Sequence, residues 1–331
     1  MRHKLWLSVA ALVGVAACGK SEPRVLIPWP PEPGHASAAK ASAAAPAAQV
    51  KAAAQPAVGM SDVFEPPARG AYPEGEFGEA VKRGERIFKD TKRYAGRFVG
   101  NEMSCANCHL DDGRRAGSTP MWAAWGLYPA YRAKNKRVNT MAERLQGCFT
   151  FSMNAQASEA GEAPEALDPV IVELEAYIYW LATGAPAGVK LKGQGYPALD
   201  KPAEAPSRER GKAVYEAQCA ICHGEDGQGL ADPAGGVAFP ALWGEGSFNW
   251  GAGMHRTNTA AAFIRANMPL GKPNTLTEQE AWDVAAYMNS HERPADPRQG
   301  AGTLATTDKT YHDEDCQYGD EVGGDLLGDG R

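Results

Sequence analysis

Two copies of one pentapeptide, Cys105-Ala106-Asn107-Cys108-His109 and Cys219-Ala220-Ile221-Cys222-His223, constrain this chain more than any other feature. Cys-x-x-Cys-His sets two thiols one helical turn apart, the spacing that adds across the two vinyl groups of haem, and the adjacent imidazole reaches the iron from the same side. A redox dithiol shares the first four positions. Two copies, each completed by histidine, point instead to two covalently bound haem c groups, with His109 and His223 as proximal ligands.

What flanks the motifs sets the compartment. Residues 1–18 read as an export signal: Arg2 and Lys4, an apolar run over 5–17, then Cys18 behind small residues as in a lipoprotein cleavage box. The expectation is a periplasmic protein held at a membrane surface by acyl chains on Cys18. Ordinary cleavage, leaving Cys18 a thiol, is the alternative. Residues 19–73 are dominated by Ala and Pro and are expected to form a disordered tether. Residues 297–331, rich in Gly and Asp, are expected to be an acidic disordered tail. A net charge of −6 gives no reason to expect a nucleic-acid partner.

Between tether and tail the pattern is helical, and it repeats. Gly84 and Phe88 lie four apart before the first motif, and Gly211 and Tyr215 before the second, so each pair puts a close-approach point and a large ring on one helix face. A closing helix follows each motif. The first is expected from Pro169 to Ala182, with Ile171, Leu174, Ile178 and Leu181 as one apolar stripe. The second starts at the capping box Thr277/Glu280. The layout resembles class I cytochrome c. The expected fold is all-α, two such haem domains in tandem over 74–185 and 207–296, joined by a linker over 186–206. The first domain has 17 positions from Phe88 to Cys105 where the second has four from Tyr215 to Cys219, and the additional segment, 89–103, is expected to be a surface loop.

The sixth iron ligands have several candidates. For the second haem these are Met254, His255, Met268 and Met288; Met268, in a loop closed by Pro269, leads, and His255 is otherwise an exposed histidine. For the first haem they are Met141, Cys148 and Met153. Four of the seven cysteines bind haem and Cys18 is assigned to lipid, leaving Cys148 and Cys316 as a disulfide or two idle thiols unless Cys148 is the ligand. Cys148 follows a run containing Arg132, Lys134, Lys136, Arg137 and Arg144. Such a run is often a solvated helix face, but cations beside a thiol favour the thiolate and can seat an anion.

The blocks SCANCHLDDGRRAG, YPAYRAKNKRVNTMAERLQGCFTFSMN, CAICHGEDGQG, FPALWGEGSFNWGAGMHR and ANMPLG resemble the dihaem thiosulfate dehydrogenases over about residues 75–293. The resemblance implies that Cys148 is the distal ligand of the first haem, at the active site, and that Met268 is the distal ligand of the second. Some relatives carry a lysine before that methionine; here it is Asn267, so ligand exchange is not expected. Arg144 and Ser152 resemble substrate-pocket positions, and Arg132 is a further candidate. Cys316 matches nothing in the family pattern.

The implied reaction joins two thiosulfates into tetrathionate, its two electrons leaving through the second haem to a small periplasmic cytochrome. Cys148 must leave the iron to form a sulfur adduct, and Arg144 with Arg132 or Lys136 would offset the repulsion of two dianions. Three rival readings use much the same residues: a tetrathionate reductase, a dihaem electron carrier without chemistry, and a cytochrome linking thiosulfate to a carrier protein's cysteine.

Overall fold

The computed structural model describes residues 63–133, 135–233 and 236–329. The signal segment, Cys18, most of the tether and Lys134 lie outside the described residues. No described helix is long and apolar enough to cross a membrane.

Two helical units follow one another, as the repeat predicts. The first runs α1 (Gly75–Lys89), α2 (Thr91–Ala95), the single turn α3 (Leu110–Gly113), α4 (Met121–Ala124), the hairpin β1 (Ala130–Arg132) and β2 (Arg137–Asn139), then α5 (Met141–Gly147) and α6 (Pro169–Leu181). The second runs α7 (Arg208–Gln218), α8 (Ala220–His223), the two short strands β3 (Leu230–Ala231) and β4 (Val237–Phe239), α9 (Thr257–Asn267) and α10 (Glu278–Met288). A C-terminal segment adds α11 (Leu304–Tyr311) and the antiparallel β5 (Glu321–Val322) and β6 (Asp325–Leu326).

In each unit the helix before the haem motif packs against the closing helix, α1 on α6 and α7 on α10. The glycines make this approach possible. A methyl group on Gly84 would lie 1.9 Å from the Glu173 carbonyl oxygen, and one on Gly211 would lie 2.0 Å from that of Asp283. Both contacts are backbone, so neither can rotate away. Gly211→Ala is therefore expected to push α7 off α10 and cost about 2–3 kcal/mol, a typical overpacking penalty, read as a lower melting temperature of the haem-loaded protein. A wild-type melting curve would refute this crossing. The closing helices start as read: Asp168 accepts from the Val170 amide with Pro169 at the first helical position, and Thr277 and Glu280 form a reciprocal capping box.

Three expectations need correction. The tether ends before residue 73, because Phe64 packs on Trp122 and Tyr72 on Trp180, with ring centroids 5.5 and 5.1 Å apart; aromatic burial orders this segment despite its prolines. The segment 89–103 is core and not a surface loop: Thr91, Ala95, Phe98, Val99 and Met103 are buried. The linker 186–206 is not among them; it runs between the units and packs on both, with Leu191 buried in the first core and Tyr196 and Leu199 packed on the second. The tail is not disordered over its described part. Tyr318 and Leu327 close a small core on Trp250, Gln317 donates to the Ala286 carbonyl at 2.7 Å, and Gly328 N–H donates to Glu292 at 2.8 Å. A few well-placed apolar and hydrogen-bonding groups order a segment whose composition alone does not.

The units also share a boundary. After α5 the chain takes one π-helical turn, Cys148–Ser152, a form that leaves carbonyls without regular partners and recurs at functional sites. Asparagines supply the partners. Asn249 of the second unit donates from its side chain to the Thr150 carbonyl at 2.9 Å and from its backbone to the Phe151 carbonyl at 3.1 Å. Asn101 bridges the Ser152 and Ser247 carbonyls at 2.8 and 3.0 Å.

Candidate active site

Both pentapeptides open onto cavities. The first, of about 600 Å³, is lined by Cys105, Cys108, His109, Phe88, Met121, Leu145, Phe149, Leu174 and Ile178, together with Cys148 and Met153. The second is lined by Cys219, Cys222, His223, Phe239, Leu242, Phe263, Ile264, Met254, Met268 and Met288. Apolar walls with two thiols and one imidazole suit a covalently attached haem.

The imidazoles are set for the metal. His109 Nδ1 lies 2.8 Å from the Thr119 carbonyl oxygen and His223 Nδ1 lies 2.9 Å from that of Pro240. A backbone carbonyl on Nδ1 fixes the tautomer and ring plane and leaves Nε2 as the coordinating atom. Burial lowers the His109 pKa to about 4 and lowers that of His223 as well, so both rings stay neutral, the form a metal binds. A Ser104/Asn107 capping box holds the first motif's turn.

Cys148 occupies the start of the π turn, and Arg144, one turn earlier on α5, donates to its Sγ at 3.0 Å. Arg144 is half-buried, and its pKa is raised, first by the Cys148 charge and against the opposing effect of burial, with a Tyr128 hydrogen bond adding to the rise. A permanent cation thus sits on the sulfur. Met153 lines the same cavity and is 3% exposed, so it stays within reach of the first haem; Met141 lines it too.

Beside the large cavity lies a polar recess of about 110 Å³, lined by Arg132, Asn135, Asn139, Glu143, Arg144, Gly147, Phe151, Ser152, Ala252 and Gly253. Arg132, Arg144 and Ser152 line both spaces. The structure therefore brings together all four residues singled out for chemistry: Cys148, Arg144, Ser152 and Arg132. It does not bring in Lys136, exposed in the β1–β2 turn, or Arg137, which pairs with Glu143 at 2.9 Å. That part of the charge run is the solvated face.

Sequence reading missed Lys190, Gln194 and Tyr196, which reach the large cavity from the linker, and Tyr128 on Arg144. Lys190 adds a third cation, and the large cavity's lining contains no carboxylate. Nothing in the linker's Gly/Pro-rich composition marks these side chains, since only its path across the first unit brings them in. Asn135 and Asn139 were also missed; Asn135 donates to Asn139 at 2.7 Å, fixing the recess wall.

In the second cavity Met268, which caps the end of α9, lies with the haem-binding side chains, as do Met254 and Met288. Asn267 is buried and donates to the Gly117 and Phe263 carbonyls. His255 does not line this cavity. It is 2% exposed, contrary to the reading of an exposed histidine, and its Nδ1 lies 2.8 Å from Cys316 Sγ. Cys148 and Cys316 are both free thiols, so no disulfide joins them. Met103 and Cys108 line both cavities, which places the two haem sites against a common wall.

Comparisons with known proteins agree with the two-unit reading. The family described as SoxA/TsdA, cytochrome c domain, matches residues 84–187, and the cytochrome c family matches residues 208–292. A thiosulfate dehydrogenase of Stutzerimonas stutzeri is 53% identical over 269 residues, covering 81% of this chain and 85% of the relative. One of Thiomonas intermedia is 51% identical over 296 residues, covering 89% and 92%. The solved thiosulfate dehydrogenase (TsdBA) of Marichromatium purpuratum superposes with a TM-score of 0.78 at 55% identity, over 81% of this chain; this chain spans 58% of the length of that one. With two attachment motifs, two cytochrome c domains and this level of identity to full-length relatives, the chain belongs to the thiosulfate dehydrogenase family and is an oxidoreductase carrying two covalently bound haem c groups.

Proposed function

We propose that this chain joins two thiosulfates into tetrathionate at Cys148 and passes the electrons through its second haem to a small soluble cytochrome. The observation that carries the reading is the half-buried Arg144 guanidinium 3.0 Å from Cys148 Sγ, at the junction of the haem cavity with a polar recess. A methionine-ligated carrier needs neither the cation nor the recess.

His109 with Cys148 would hold the first haem iron and His223 with Met268 the second. Each haem supplies one-electron acceptance, and the softer thiolate sets the first potential below the second. The protein's own groups carry the sulfur chemistry. Cys148 thiolate and the terminal sulfur of one thiosulfate form an S–S bond, giving the Cys148–S–SO3⁻ adduct with loss of two electrons, one for each haem. The terminal sulfur of a second thiosulfate then attacks the sulfur bonded to Cys148 Sγ, and the Sγ–S bond breaks. Tetrathionate leaves and Cys148 is again a thiolate, so charge and sulfur balance. Arg144 and Arg132 neutralise sulfonate charge at the mouth of the recess, and the Ser152 hydroxyl donates to a sulfonate oxygen. Two dianions approach only against such cations.

The same reading places the mature protein in the periplasm, anchored to a membrane through Cys18. The test is product analysis. The purified haem-loaded protein, given thiosulfate and ferricyanide, should form one tetrathionate for every two ferricyanides reduced. Absence of tetrathionate while both haems are present and reducible would leave an electron carrier in place of the enzyme.

A further inference from the structure

Outside both haem cavities, three potential metal ligands meet in the interior of the second unit. His255 precedes α9, His312 caps the end of α11, and Cys316 lies in the C-terminal segment. Their ligand atoms all lie within 4.8 Å of one another. The geometry is directed: His255 Nδ1 is 2.8 Å and His312 Nδ1 is 3.3 Å from the same Cys316 Sγ. His255 is 2% exposed and the His312 side chain is fully buried.

The surroundings match what supports a coordinated imidazole and a coordinated thiolate. His312 Nε2 lies 3.1 Å from Asp296 Oδ2, and that carboxylate is fully buried and also held by Arg298. A carboxylate on the far nitrogen of a histidine fixes its tautomer and raises its basicity toward a metal on the near nitrogen. The Tyr318 amide, two residues after Cys316, donates to Cys316 Sγ at 3.3 Å, a bond that supports negative charge on sulfur. The Tyr318 ring stacks on His312 with centroids 4.0 Å apart and locks its plane.

We propose that His255, His312 and Cys316 bind one thiophilic transition ion, Zn²⁺ or copper. One thiolate and two imidazoles form the donor set that selects these ions over oxygen-preferring cations. The thiol proton leaves to solvent as the sulfur–metal bond forms. His312 and Cys316 come from the C-terminal segment and His255 from the turn before α9, so the ion staples that segment to the start of α9, next to Met254 in the second haem cavity. This site is independent of the sulfur chemistry at Cys148.

The experiment uses the haem-loaded protein, with its two haem irons as internal standard. Wild type is incubated separately with Zn²⁺ and with Cu⁺, passed over a chelating resin, and its metal content measured. The expected result is about one retained Zn or Cu per two Fe, and less than a tenth of that in Cys316→Ser and in His255→Gln, each of which keeps both haems. Retention of Zn or of copper identifies the ion. Alkylation followed by peptide mapping gives a second readout in wild type, where added metal should protect Cys316. Wild type that retains neither ion, retention unchanged in both variants, or Cys316 alkylated equally with and without metal would each overturn the site and leave a hydrogen-bonded polar cluster.

Discussion

Cys148→Ser is expected to lower thiosulfate-dependent ferricyanide reduction by about 10³-fold or more, the scale for removing a nucleophile whose partners remain in place. Both haems should stay attached, because Cys105, Cys108, Cys219 and Cys222 are untouched. The substitution is small in volume and the Arg144 contact can pass to the hydroxyl, so folding should be preserved. Serine does not form the sulfur–sulfur bond on which the proposed reaction turns. Retained turnover in a variant with two haems would transfer attention to Met153, which lines the same cavity.

Arg144→Met should reduce kcat/KM for thiosulfate by about 10²–10³-fold, or about 3–4 kcal/mol, comparable to the loss of one preorganised charge-stabilising donor. Arg144 and Arg132 are both half-buried, and it is Arg144 that donates to Cys148 Sγ. At a half-buried position one cation acts on a dianion with less screening than in bulk water. Arg144→Lys should recover part of the loss, because it restores charge without the planar fork that holds sulfur and sulfonate together. Equal losses in the lysine and methionine variants would mean that the guanidinium's shape matters more than its charge. A wild-type kcat/KM in both would remove Arg144 from the substrate site. The parallel variant Arg137→Met, on a residue already paired with Glu143, should change little.

The contrast between Arg144 and Arg137 shows how far the sequence could be read. Both belong to one basic run, and periodicity does not say which faces inward. The side of α5 on which Cys148 and Arg144 align, four residues apart, was legible because helix geometry dictates it. The hairpin that turns Arg132 inward and Lys136 outward was not, since three-residue strands carry no usable pattern. The haem motifs, the crossing glycines Gly84 and Gly211 and the box at Thr277 were legible for the same local reason. Each is a short-range rule with a steric or hydrogen-bonding cause.

What escaped was long-range. Lys190 enters the first cavity from a stretch that composition marks only as linker. The C-terminal segment reads as acidic and glycine-rich, yet Tyr318, Leu327 and Gln317 find partners in Trp250 and α10. Its many glycines allow tight turns, and Gly328, at a φ of 99°, packs where a Cβ would meet the Tyr318 ring at 2.3 Å. Glycine there permits close packing of the chain instead of loosening it. The sequence offered Cys316 only as an idle thiol or a disulfide partner, because the two histidines beside it lie 61 and 4 positions away.

The asparagine ties between the π turn and the second unit bear on how such proteins can be cut and rejoined. Asn249 supplies the partners that the carbonyls beside Cys148 would otherwise lack, so Cys148 is positioned partly by the second unit. A truncated first unit would keep its attachment cysteines yet lose the brace on its Cys148–Ser152 turn. Grafting a foreign cytochrome behind residue 206 would do the same unless the graft reproduced the 247–251 segment. The two haem units are thus not exchangeable cassettes, and gain or loss of the second in evolution would have to pass through the geometry of the first.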